Sequence, residues 1–286
     1  MSNLVQRLLT AAVLVPILII ELFVDKTPWS ILAMAVLATA AAHDEFVRMA
    51  LPRIAGDDGP RDDPAPGLRA VVLTLGAGLM IACTVFGPDK AMAPALTIIA
   101  MGLGAVILAR KHALDRAAHT LVACFASILY IPLLATTWPL IKADLPNGAA
   151  WLFVTLGIAF FSDTVAYFFG RFFGRHKLYP AVSPKKTWEG SFGGLVGGVS
   201  IAVGFGSLWL IPEMPIGHAV ALGVLGSACG QIGDLVESMI KRGFGVKDSG
   251  TLLPGHGGML DRVDALLFVA PVVYFYVRLV LPLAGA

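Results

Sequence analysis

Between Lys247 and Asp264 the chain reads KDSGTLLPGHGGMLDRVD, with three carboxylates, two cations, a histidine and four glycines in eighteen residues. The PGHGG run is too rich in glycine for a regular helix. It reads as a tight loop whose backbone N–H groups can come close to a ligand. Asp261 and Asp264 follow at i, i+3, at the head of an apolar run. A carboxylate at a helix N-terminus is favourable by itself, by about 0.3–1 kcal/mol. Capping therefore accounts for either aspartate alone, but not for both together with Arg262 and the glycine loop. Just upstream, GDLVESMIKRG (233–243) sets Asp234, Ser238 and Lys241 at i, i+4 and i+7, with Glu237 beside them. On a helix these form one stripe. A carboxylate at one end can hold a cation, and a lysine at the other can meet phosphate oxygens. An intrahelical ion pair with a snorkelling lysine is the plainer alternative.

Two more polar groups lie earlier. Asp163 sits inside an apolar span, where an unpaired carboxylate costs at least about 2.5–3.5 kcal/mol. It must pair, coordinate something or line a wet cavity; Tyr167 and Arg171, at i+4 and i+8, share its face. In SPKKTWEG, Ser183 suits an N-cap and Pro184 a first helical position. Lys185 and Lys186 would then fill the first turn, the wrong end for cations. The arrangement makes sense where an anion such as phosphate docks. Ordinary cytoplasmic lysines are the alternative. The following GSFGGLVGGVS carries two small-xxx-small series, which read as close helix packing. No G-x-x-x-x-G-K-[ST] phosphate loop is present.

The elements that must position these groups are membrane helices. Only 14% of the 286 residues are charged, against about 25% in a soluble domain. Mean hydropathy is +0.80. The apolar residues fall into about nine runs, near the ~20 residues needed to cross a bilayer. They are 8–24, 29–42 (with a continuation to 51 open), 68–87, 91–109, 120–141, 150–169, 191–211, 217–237 and 265–283. The first reads as a retained span rather than a cleaved signal peptide. With the N-terminus cytoplasmic, alternation puts seventeen Lys and Arg on inside segments and three, Lys26, Lys90 and Lys142, outside. That asymmetry supports nine spans with the C-terminus outside, and places every polar cluster on the cytoplasmic face. The expected fold is an all-α polytopic membrane protein, one domain of 286 residues, with about five spans in 1–149 and the chemistry in 150–286. Segment 55–68 reads as a flexible cytoplasmic loop. The three cysteines read as buried free thiols. A net charge of +2 gives no reason to expect a nucleic-acid partner.

From Ser238 to Asp264 the sequence resembles the signature of the phosphatidate cytidylyltransferases, or CDP-diacylglycerol synthases. Its pattern is Ser, Lys-Arg, Lys-Asp, Pro-x-His-Gly-Gly and Asp-Arg-x-Asp, and every position is filled here. The segments SDT…AYFFGR and SPKKTWEG resemble the same family. The resemblance implies a membrane nucleotidyltransferase that makes CDP-diacylglycerol and pyrophosphate from CTP and phosphatidic acid, with Mg²⁺ and room for a second cation. It implies that Asp234, Asp261 and Asp264 hold metal, and that Lys185, Lys186, Lys241, Arg242 and Arg262 surround the phosphates. His256, with Gly257 and Gly258, would orient a phosphate. Asp163 and Ser183 would support the nucleotide, Ser238 would lie in the same substrate site, and Lys247 and Asp248 would fix the loop by pairing. The expected setting is a bacterial inner membrane, with the site facing the cytoplasm and a homodimer admitted. A CTP-dependent polyprenol or dolichol kinase would share lipid, nucleotide and fold type but release CDP. The D-G-x-x-A-R pattern of CDP-alcohol phosphatidyltransferases is not found. Transport is disfavoured, because the ionisable residues gather at helix ends rather than at the midplane.

Overall fold

The computed structural model describes residues 20–24, 27–54, 66–110, 114–250, 252 and 257–281. These are almost wholly helical: α1 (Trp29–Ile54), α2 (Pro66–Phe86), α3 (Pro88–Ala109), α4 (Leu114–Tyr130), α5 (Pro132–Ala135), α6 (Thr137–Asp144), α7 (Gly148–Phe173), α8 (Trp188–Ile201), α9 (Ile216–Gly243) and α10 (Leu260–Leu279). Two short strands, β1 (Lys177–Tyr179) and β2 (Ser183–Thr187), separate α7 from α8. Among the described residues seven segments are long and apolar enough to cross a membrane. They are Trp29–Leu51, Gly67–Phe86, Pro88–Ala109, Arg116–Asp144, Gly148–Phe173, Trp188–Leu210 and Ile216–Gly243. They match the second to eighth expected spans, with the second taking its longer form. Most of the first expected span and of the 55–68 loop lies outside the described residues. The ninth corresponds to α10, which opens on Asp261, Arg262 and Asp264 and is not among the seven.

The chain divides into two compact units that interleave in sequence. The first takes Leu32–Thr136 and Gly243–Arg262. Its core joins α1 to α4 through Val47, Val72, Leu79, Leu103, Cys124 and Ile128, all buried. The one buried histidine of α1, His43, is satisfied by Ser127 Oγ at 2.9 Å. Within the single segment Arg116–Asp144 the helix is interrupted, because Pro132 has no N–H to continue α4. It opens the single turn of α5 instead, and α6 follows. Cys83 and Cys124 are buried free thiols and Cys229 a half-buried one.

The second unit takes Thr137–Arg242 and the described chain from Val263, with residues 20–24 and 27–31. Here α7 and α8 lie in close contact, and the glycines of α8 make that possible. A Cβ on Gly193 would stand 2.4 Å from the Phe169 ring of α7, and one on Gly197 3.0 Å from Val165. The other series passes from α7 to α9: a Cβ on Gly190 would meet Ala166 O of α7 at 2.8 Å, one on Gly194 would meet Gln231 Nε2 of α9 at 2.8 Å, and one on Gly198 would meet Ser227 Oγ at 1.8 Å, while one on Gly223 of α9 would meet Val199 Cα at 2.6 Å. The small residues of α8 thus admit both neighbours closely. Beyond Ile201 the helix widens to a π-helix over Ala202–Leu210.

Candidate active site

In the second unit, side chains from four elements gather around Asp234. Lys186 Nζ of β2 lies 2.5 Å from Asp234 Oδ2. One turn on, Ser238 Oγ donates to Asp234 Oδ1 at a long 3.4 Å. Glu237, 1% exposed, is held by Lys241 Nζ at 2.5 Å. Asp163 of α7 lies within electrostatic reach of both Asp234 and Lys186. Asp264 comes from the head of α10, ahead of its apolar run. Gly233 brings the two helices together there, since a Cβ on it would stand 2.6 Å from Asp264 O. Burial, then the neighbouring Asp234 and Asp163 carboxylates, raise the Asp264 carboxyl well above the usual range, against the opposing pull of Lys241. Oδ1 of Asp264 accepts from Ala265 N at 2.7 Å.

The cluster holds Asp163, Asp234, Glu237 and Asp264 against Lys186 and Lys241, a surplus of negative charge. No three His, Cys, Asp or Glu side chains among the described residues already converge on one point as a metal cage. The donor set nonetheless fits a hard divalent cation, which prefers carboxylate oxygens and keeps much of its water. Asp234 and Asp264 are the residues that would hold it.

Lys186 reaches Asp234 because it sits on a strand. The sequence expectation of a helix opening at Ser183, with Lys185 and Lys186 in its first turn, is corrected here. Lys177 pairs with Thr187 and Tyr179 with Ser183 in an antiparallel hairpin. The helix starts after Thr187, whose Oγ1 accepts from Gly190 N at 3.1 Å. Both serines and threonines cap helices, and Thr187 prevails because Glu189 then falls in the first turn, where the dipole favours it. Glu189 also fastens the hairpin, accepting from His176 Nδ1 at 2.7 Å and Arg175 N at 3.1 Å. Strand alternation leaves Lys185 exposed. The argument for an anion at that helix N-terminus therefore lapses. Tyr167 and Arg171 do pair, at 3.0 Å, but on an exposed face.

Between Gly243 and Arg262 the signature segment belongs to the first unit. Its backbone N–H groups do approach an acceptor closely, and the acceptors are protein carboxylates. Asp261 Oδ2 accepts from Gly258 N at 2.9 Å and Ser249 N at 3.1 Å. Glu45 of α1 accepts from Met259 N at 2.9 Å, Leu260 N at 3.0 Å and Ser249 Oγ at 2.8 Å. Gly257 has φ +79°, a backbone geometry that suits glycine. Lys247, Asp248, Arg242 and Arg262 are exposed. No ion pair joins Lys247 to Asp248 among the described residues, so the pairing expected of them is not formed. His256 lies outside the described residues.

A sequence model described as the cytidylyltransferase family matches residues 5–280. The chain belongs to that family. Membership thus extends through the N-terminal half, where the sequence reading found only hydrophobicity in common. Among curated relatives, a phosphatidate cytidylyltransferase of Bacillus subtilis is 44% identical over 134 residues, 46% of this chain and 49% of that protein. One from Staphylococcus haemolyticus is 40% identical over 151 residues, 52% of this chain and 56% of its own. A chloroplastic phosphatidate cytidylyltransferase of Arabidopsis thaliana is 44% identical over 146 residues, 50% of this chain and 36% of the plant protein. The chain spans about half the length, or less, of these relatives.

Within a cytidylyltransferase the polar residue that sequence reading missed is Glu45. The signal was available: a carboxylate inside an apolar run is expensive and needs partners. Ending the second span at Ala42 hid it, whereas α1 continues to Ile54.

Proposed function

We propose that this cytidylyltransferase joins CTP to phosphatidic acid, releasing pyrophosphate and leaving CDP-diacylglycerol, as the first step toward phospholipid head groups. The observation that carries the reading is the meeting of Asp163, Asp234 and Asp264 with Lys186 and Lys241 in one unit of a family member. In the reaction a phosphate oxygen of phosphatidic acid attacks the α-phosphorus of CTP, and the bond to the β-phosphate oxygen breaks. The attacking phosphate is already anionic, so no general base is required. Lys186 and Lys241 neutralise phosphate charge, and Arg242 and Arg262 are exposed cations each assigned to phosphate oxygens. Asp234, Asp261 and Asp264 are each assigned to Mg²⁺ or a second cation. Bound there, the ion would neutralise developing charge on the triphosphate and align it. Catalysis by alignment and charge neutralisation predicts no covalent enzyme intermediate.

We also propose nine spans with the N-terminus cytoplasmic, in a bacterial inner membrane, with the catalytic cluster at the cytoplasmic surface. The charge asymmetry of the connecting segments and the bacterial relatives support this reading. A homodimer is part of the proposal, and a molecular mass measured in detergent decides it.

The reaction is tested by incubating purified protein with Mg²⁺, phosphatidic acid and each nucleoside triphosphate in turn. Pyrophosphate should appear with CTP. CDP in its place would make the protein a lipid kinase, and neither product would sink the reaction assignment.

A further inference from the structure

We propose that Glu45 is a positioning residue that locks the start of α10, with Ser249 beside it, in the conformation that aims Asp261. The inference rests on the cytidylyl-transfer reading above. Glu45 lies 204 to 215 residues away in sequence from the three groups it binds. It is 8% exposed, beside the buried apolar side chains of Phe46 and Val47. The partners of its carboxylate are all donors: the N–H groups of Met259 and Leu260 and the hydroxyl of Ser249. The first turn of a helix leaves N–H groups without intrahelical partners. A capping side chain usually comes from the residue just before the helix. In α10 that service is supplied by a carboxylate from α1.

The surrounding glycines are shaped to this carboxylate. A Cβ on Gly258 would stand 2.4 Å from Glu45 Oε2 and 2.0 Å from Ser249 Oγ, and one on Gly250 2.5 Å from Glu45 Oε1. Any side chain at either position would push Glu45 away. Ser249 joins the two carboxylates of the region, because its hydroxyl donates to Glu45 and its N–H to Asp261. Gly258 N also donates to Asp261. The turn that aims Asp261, a proposed metal ligand, is therefore held at both ends by groups that Glu45 fixes. A carboxylate is required because every partner is a donor. Glutamine would offer one oxygen and turn an NH₂ group toward an N–H or hydroxyl.

The experiment compares wild type, Glu45→Gln and Ser249→Ala in detergent. Hydrogen exchange at the Met259 and Leu260 amides, without Mg²⁺ or substrate, reads the anchoring directly. Exchange should speed up by about tenfold or more in Glu45→Gln, a loss of ~1.4 kcal/mol or more of local protection. Per mole of folded protein, kcat should fall by about 10–100-fold, the range seen when a group orienting a metal ligand is lost. The Mg²⁺ concentration for half activity should rise about fivefold or more by the same logic, while KM for phosphatidic acid stays within about threefold. Ser249→Ala should move each readout the same way by less, and it carries the test if Glu45→Gln does not fold. Faster exchange with kcat and Mg²⁺ requirement unchanged would make Glu45 a cap for stability alone and overturn the proposal. Unchanged exchange would overturn it as well. A wild type that releases no pyrophosphate would remove the reaction assignment instead, and the exchange comparison would still decide whether Glu45 anchors the segment.

Discussion

Asp234 is already engaged by Lys186 at 2.5 Å, whereas Asp264 has Asp234 and Asp163 as neighbours of like charge and Lys241 as its opposing cation. Burial and those like charges raise its carboxyl in the folded chain, so folding takes up a proton there. A group with a raised folded value contributes stability at low pH and loses it as pH rises from the ordinary carboxylate range. A divalent cation binds the ionised form and reverses the trend. Metal-free protein should therefore lose thermal stability between about pH 5 and about pH 8, and the rise in Tm with added Mg²⁺ should grow over the same interval. Asp264→Asn should flatten both slopes; identical slopes in the variant and wild type would remove Asp264 from the ion's environment. Asp234→Asn and Asp261→Asn, each folded in detergent, should lose about 100-fold or more of CTP-dependent turnover. Near-normal turnover in either would strike that residue from the ligand set. At this scale the sequence singled out Asp163, Asp234 and Asp264, because a carboxylate near an apolar run is costly wherever the chain takes it. Glu45 carried the same signal once α1 is extended past Ala42, but its partners, more than two hundred residues away, left no trace in the local spacing.

Helix contacts in the second unit depend on backbone approach, which side chains on the facing helix cannot easily relax. Gly223 illustrates it: a Cβ there would stand 2.6 Å from Val199 Cα and 2.8 Å from Val199 N. Both atoms belong to the backbone of α8, so a whole helix would have to move. Gly223→Ala should destabilise the protein by about 2 kcal/mol, within the range for overpacking. Gly217→Ala in the same α9 meets nothing within 4 Å and serves as the control. It should leave Tm unchanged or slightly raised, because alanine favours the helix. Equal behaviour of the two variants would refute the packing role of the glycine stripes. Those stripes were legible in advance, since small residues at i, i+4 carry one dominant meaning in a membrane helix. The β1–β2 hairpin was not. Ser183-Pro184 and Thr187 both satisfy helix-start rules, and the pairing of β2 with β1, with Glu189 in the first turn, selects the later start. The consequence is chemical, because a strand sends Lys186 to Asp234 and Lys185 to solvent, where a helical first turn would have grouped them.

For the molecule as a whole, the order of apolar runs was legible and their division into units was not. Contact between α1 and the segment after α9 ties together residues from opposite halves of the chain, so the first unit ignores the midpoint near residue 149. The charges between the runs support the proposed sidedness, which labelling can read. In a background with Cys83, Cys124 and Cys229 replaced, single cysteines can be placed at three exposed positions: Lys90 in the first turn of α3, Lys177 in β1, and Glu213 between α8 and α9. The proposed topology puts residues 90 and 213 outside and 177 in the cytoplasm. A membrane-impermeant maleimide should label Lys90→Cys and Glu213→Cys in intact cells, and Lys177→Cys only after permeabilisation. The pair 177 and 213 brackets a single apolar segment, Trp188–Leu210. Equal labelling of both in intact cells would mean that this segment does not cross. The reverse pattern would turn the protein over, and Asp163, Asp234 and Asp264 would then face a compartment without CTP. Orientation and reaction are therefore tied: a cytidylyl transfer drawing on cytoplasmic nucleotide requires residue 177, and the hairpin that presents Lys186, to lie inside.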